Sequence, residues 1–185
     1  MKNTLKLLTF SFLVMFASCV PSLNSLYTEQ DLIFDAALLG VWTDKDSKET
    51  WELSKANEKQ YKLIYTDEDG KTGEFVAHLL KIGGKTFLDL TPIKPVHSQN
   101  DFYKEHFLTT HTFAQISQTE PTIQISFLEP EWLKKFVAKK PFAIRHEKMG
   151  EEMLLTASQK ELQKFLIAHL NTEGAFSKPS SLKRK

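Results

Sequence analysis

The sequence predicts a mainly β fold, an antiparallel meander with a short N-terminal helix, a helix near 131–140 and a C-terminal helix. Three observations carry that prediction. From about residue 41 to 128 apolar and polar residues alternate, the period of half-buried strands. Gly83-Gly84 separates Val76–Ile82 from Lys85–Leu90 by two residues, the spacing of a hairpin whose turn needs positive φ. Ser158 with Glu161 forms a capping box ahead of an apolar stripe of helical spacing. The meander holds roughly six or seven short strands, which is the pattern of a barrel or a sandwich.

The elements follow in order. Thr28 caps a first short helix, with Glu29 and Asp31 at its positive end, Leu32, Ile33, Ala36 and Leu39 on its apolar side, and Gly40 as its stop. Trp51 and Leu53 share one strand face, as do Tyr61, Leu63 and Tyr65. Asp67-Glu68-Asp69-Gly70 turns the chain, and Phe75, Ala77 and Leu79 resume the alternation. Pro92 and Pro95 end a strand, and residues 92–101 form the longest loop. Phe107–Ile116 and Thr122–Leu128 make a hairpin across Glu120-Pro121. Pro130 pre-sets the first turn of Glu131–Lys140, whose Trp132, Leu133, Phe136 and Val137 lie on one side. With Lys134, Lys135, Lys139 and Lys140 it is an amphipathic basic helix. It suits docking on the domain, capping a barrel mouth or lying on a membrane surface. Phe142–His146 and Met153–Thr156 read as a last hairpin, and Leu162, Phe165, Leu166, His169 and Leu170 stripe the final helix. After Asn171 periodicity is lost, so 173–185 reads as a flexible basic tail. Residues 28–172 therefore form a single β-rich domain.

The chain begins with a different signal. Lys2 and Lys6 precede the apolar or hydroxylic run Leu7–Phe16, and Phe16-Ala17-Ser18 places small residues before Cys19. A run of that length falls well short of the roughly twenty residues a spanning helix needs, so residues 1–18 read as a signal peptide. Cys19 is the sole cysteine, so no internal disulfide can form. The stretch resembles a bacterial lipoprotein signal peptide, with Phe16-Ala17-Ser18-Cys19 as its lipobox. The resemblance implies that Cys19 becomes the mature N-terminus and bears acyl chains, with 19–27 as a lipidated tether in the cell envelope. Inner-membrane lipoproteins of Gram-negative bacteria often have aspartate after the cysteine. Val20 stands there instead, which implies the outer membrane if the source has one.

Charge excludes one class of partner. Lys and Arg number 24 against 23 Asp and Glu, and losing Lys2 and Lys6 takes the net charge from +1 to −1. There is no basic field for nucleic acid. Arginines number only two, Arg145 and Arg184, so bidentate phosphate recognition is nearly absent.

A short helix, Gly40-Val41-Trp42, an antiparallel meander and a late helix together are similar to lipocalins and their bacterial lipoprotein relatives. The resemblance implies a barrel whose floor is closed by Trp42, with an arginine from a late strand over the indole. Arg145, in Phe142–His146, is the candidate for that place. The resemblance also implies a small apolar ligand such as a lipid or fatty acid. Trp51, Tyr61, Tyr65, Phe75, Phe107 and Phe113 are the candidates to line its cavity, if these aromatics do not simply fill the core.

The remaining chemistry argues against an enzyme. His106 and His111 are five apart on one predicted strand and so face opposite sides. His97 lies in the proline loop, and His78, His146 and His169 are scattered. No paired His or Cys spacing suits a metal. Aligned as a calcium loop, Asp67–Gly70 would put Tyr65 and Val76 at ligand positions, so it reads as an acidic turn. No nucleophile elbow or phosphate loop occurs, and Glu151-Glu152 reads as solvated. No cofactor is expected. Two readings stay open, an apolar-ligand binder and an envelope interaction lipoprotein with a solid core and protein partners unknown. A hydrolase or metal enzyme built from distant residues is a weaker third.

Overall fold

The computed structural model describes residues 19–45, 47–93, 106–119 and 121–185. The predicted signal peptide and most of the 92–101 loop, His97 included, lie outside them. In chain order the elements are β1 (Leu32–Ile33), a 3-10 turn (Ala36–Leu38), β2 (Gly40–Asp44), β3 (Thr50–Asn57), β4 (Gln60–Thr66), β5 (Thr72–Ile82), β6 (Lys85–Pro92), β7 (Thr112–Thr119) and β8 (Thr122–Phe127). Then come α1 (Pro130–Lys139), β9 (His146–Met149), β10 (Glu152–Leu155), α2 (Gln159–His169) and β11 (Ser180–Arg184).

Eight strands pair in the order β5-β4-β3-β2-β11-β8-β7-β6, and β6 returns to β5. Every pairing is antiparallel. The result is a closed eight-stranded barrel of the lipocalin-like kind, the all-β fold that the alternation predicts. Closure removes the exposed edges that an open meander would leave.

Three expectations are corrected. The C-terminal tail is not free: Ser180–Arg184 is the strand that joins β2 to β8, with Leu182 opposite both Asp44 and Ile123. A five-residue strand with one buried apolar residue leaves almost no periodic signal, and its order comes from two waiting edges. The helix expected from Thr28 is instead β1 and the 3-10 turn. β5 outruns β4, so Leu32 and Ile33 pair with the surplus at Leu80 and Leu79, and Asp35 caps the turn through the Ala37 N–H. The tether is built into the fold as well: Val20, Ser22 and Leu26 are buried.

Period two along each strand divides the apolar residues between two cores. The inward set includes Trp42, Leu53, Tyr61, Leu63, Leu88 and Ile123 and fills the barrel. The outward residues Leu80, Ile82, Phe87 and Phe113 of β5–β7 form a second core beneath α1, α2 and the N-terminal segment. α1 docks its apolar side there, with Leu133 and Val137 buried. α2 has the predicted capping box, in which Glu161 also binds Arg145.

Candidate functional site

One end of the barrel is closed. Residues 34–39 cross it, Leu38 joins the inner core, and the Phe34 ring stacks on Tyr61 at 4.6 Å. The Tyr61 hydroxyl donates to the Asp35 carbonyl at 3.0 Å and accepts from the Asp35 N–H at 2.6 Å. Trp42 donates its indole Nε1–H to the Leu38 carbonyl at 2.9 Å. The arginine over this tryptophan is Arg184 of β11, its guanidinium carbon 4.4 Å from the ring centroid. Its Nη2 donates to Ala37 O at 2.6 Å and its Nη1 to Leu39 O. Arg145 does not fill that place, because it lies before β9 on the outer layer and pairs with Glu161. Gly40 shows why the Gly-x-Trp pattern is needed: its φ is +126°, and a Cβ there would lie 2.6 Å from Arg184 Nη1.

The lumen above this floor is occupied by side chains. Trp42 and Tyr61 are wholly buried within it, and Leu53, Leu63, Leu79, Leu88, Ile116 and Ile123 are at most 5% exposed. Eight strands enclose a space that large side chains can fill, and only Ala77 and Ala114 in this layer are small. Among the described residues one cleft opens at the floor end and another lies on the outer layer. The first, of about 310 Å³, lies between the crossing segment and the β5–β6 turn and reaches Leu38, Leu79 and Ile116 of the inner core. The other, of about 220 Å³, lies by Cys19, Val20, Pro21, Pro130, Lys134 and Met153.

The structure divides the six predicted lining aromatics. Trp51, Tyr65 and Phe75 converge on the other end of the barrel, the mouth, where each is half-buried against the inner core. Trp51 meets Tyr65 edge-on at 5.8 Å and Phe127 at 6.5 Å. Tyr61 belongs to the floor. Phe113 points outward into the second core, one residue out of phase with the inward Ala114, and Phe107 precedes β7 and is 49% exposed. Tyr65 donates to Glu49 Oε1 at 2.8 Å. Burial first, and then that bond and nearby carboxylates, hold its phenol well above the ordinary value, so it works as a neutral donor.

The N-terminal arm lies beside the same mouth. Ser22 exchanges backbone hydrogen bonds with His111 at 2.9 and 2.8 Å, just before β7, and residues 21–23 run along β10 through Leu155. Asp89, buried on the outer face of β6, accepts the Leu26 N–H at 2.7 Å and His111 Nδ1 at 2.7 Å. Cys19 stands half-exposed at the end of this arm, and burial pushes its thiol above the ordinary value. A raised thiol lacks the thiolate that nucleophilic chemistry needs.

The histidines do not converge on one centre. The His78 ring packs tilted on Tyr27 at 4.4 Å and approaches Gln60 at 3.2 Å, and its buried Nδ1 has no hydrogen-bond partner among the described residues. His169 packs among Trp132, Phe136 and Phe165. Among the described residues no three metal-ligating groups cluster, and no helix is long and apolar enough to cross a membrane.

Arg184, Phe127 and Asp89 are the residues that sequence reading missed. Phe127 continues the alternation of Ile123 and Ile125, and a carboxylate within Phe87-Leu88-Asp89-Leu90 is itself a sign of a buried partner. Arg184 gave no signal beyond standing two residues from Leu182. Compared with known proteins, the chain matches no family model, no curated protein and no solved structure.

Proposed function

We propose that this chain is a lipid-anchored protein of the bacterial cell envelope, not an enzyme, that acts through its surface and not by carrying a ligand inside its barrel. The filled lumen is the observation that supports the reading, since no apolar molecule can enter without displacing side chains packed at interior density. The anchor rests on the basic start, the apolar run and Phe16-Ala17-Ser18-Cys19, and several acyl chains at about 0.8 kcal/mol per buried methylene would hold firmly. A second reading keeps a small apolar ligand such as a lipid or fatty acid, seated at the mouth on Trp51, Tyr65, Phe75 and Phe127.

Two measurements test this. Cys19→Ser, with the signal still cleaved, should move the folded domain from the membrane to the soluble fraction, and continued membrane retention would refute the anchor. The soluble protein should then show no bound mass by native mass spectrometry and no uptake from a fatty-acid panel. A stoichiometric apolar molecule would replace the surface reading with ligand binding at the mouth.

A further inference from the structure

The anchor residue and the barrel mouth belong to one surface, and we infer that this surface is the one laid against the bilayer. The inference rests on the lipid anchor proposed above and adds the orientation of the domain on it.

The first observation is the absence of slack. Val20 is already buried, and residues 21–23 are hydrogen-bonded to His111 and Leu155. Acyl chains on Cys19 would therefore leave the domain directly at its surface. The second observation is where that exit lies. Cys19 is three residues from Ser22, so it stands within about 11 Å of a residue bridged to His111, the neighbour of the first residue of β7. Cys19 also shares a cleft with Pro130, itself within about 11 Å of Phe127, the last residue of β8. Both paths meet at the mouth end of the β7–β8 hairpin.

Four of the seven exposed large apolar side chains among the described residues lie on this side, whereas Ile33 and Ile167 stand by the β5–β6 turn at the floor end and Phe142 follows α1. Leu108 is 68% exposed and three residues from His111, with Phe107 beside it. Ile93 follows the mouth end of β6, and Met149 heads the β9–β10 turn, next to the Glu151 and Glu152 that line the Cys19 cleft. The acidic turn Asp67-Glu68-Asp69 also lies at the mouth, between β4 and β5, with β5 next to β6 but three strands from β8. A domain leaning on its β7–β8 corner, the one nearest Cys19, places Phe107 and Leu108 among the headgroups and lifts those carboxylates away. The closed floor, with the β3–β4 turn at Glu58, points to the aqueous side.

Depth-dependent quenching tests the orientation on the full, membrane-processed protein. Leu108→Cys, Met149→Cys, Glu58→Cys and Asp69→Cys are purified, labelled with an environment-sensitive fluorophore and reconstituted in phosphatidylcholine vesicles, part of whose lipid is brominated. With Cys19 acylated, the introduced thiol is the sole labelling site. Vesicle-bound protein should show blue-shifted, bromine-quenched emission at 108 and 149, and water-like, unquenched emission at 58 and 69. Protein that floats with the vesicles while 108 and 149 stay in water would overturn the orientation and leave the anchor standing, and so would quenching at 58. Protein that does not float would remove the anchor, and the orientation with it.

Discussion

Arg184 lies over the indole of Trp42, 4.4 Å from guanidinium carbon to ring centroid, joining the last strand of the barrel to its first. The two residues also face each other in the β11–β2 register. One contact thus ties strand order, floor closure and the C-terminus together. Arg184→Ala should lower the unfolding free energy by about 0.5–2 kcal/mol, the worth of a cation over an indole. Trp42→Ala should lower it by about 3–5 kcal/mol, as a fully buried aromatic does. Gly40→Ala should cost about 1–3 kcal/mol through its positive φ. Denaturant unfolding measures all three, and Arg145→Ala is expected to leave Trp42 fluorescence unchanged.

Ending the chain after Pro179 removes β11 and leaves the facing edges of β2 and β8 unpaired. The shortened protein should lose its cooperative thermal transition and aggregate, as exposed strand edges do. A sharp transition near that of the full chain would show that the barrel closes without its last strand. Circular dichroism and light scattering read the difference.

Asp89 holds the arm that leads to Cys19. Asp89→Ala leaves the Leu26 N–H without its acceptor and His111 Nδ1 with only the Thr91 hydroxyl, and a buried orphan donor costs about 1–3 kcal/mol. Limited proteolysis should then cut within residues 20–31 earlier than in the parent protein. An unchanged cleavage pattern would mean that the other arm contacts suffice.

His78 sets a pH dependence. Burial holds its imidazole below the ordinary value, although the Asp89 carboxylate pulls the other way. His169 is lowered too, by burial and then by Lys140. In both cases the unfolded chain takes up the proton first. The stability that the neutral rings contribute is present above the unfolded value of about 6.5. It is lost as pH falls from there through the lower folded values. The melting temperature should therefore drop between about pH 7.5 and pH 5.5, and the drop should shrink in His78→Gln/His169→Gln.

Legibility in the sequence follows from how local each cause is. The Gly83-Gly84 turn, with φ of +55° and +74°, and the Ser158–Glu161 capping box are fixed by residues next to one another, and both stand where the sequence puts them. The inward alternation on β3, β4 and β5 is equally local, and it sends Trp51, Tyr65 and Phe75 to one end of the barrel. Phe113 was misplaced because alternation defines two faces without saying which is the inside, and here β5–β7 bury both. The segment from Thr28 to Leu39 has helical spacing, yet the free stretch of β5 offers backbone partners that an isolated helix would lack.

The sequence by itself determined the antiparallel meander and the two helices of the outer layer, because these depend on period and turn chemistry, while Trp42 as the residue of the floor came from the resemblance to lipocalins. Only the tertiary structure decided that Arg184 and not Arg145 covers that indole, that residues 20–27 are held by Asp89, and that the lumen is full. Each of those depends on contacts between residues tens of positions or more apart, whose free energy exists only once the barrel has closed around them.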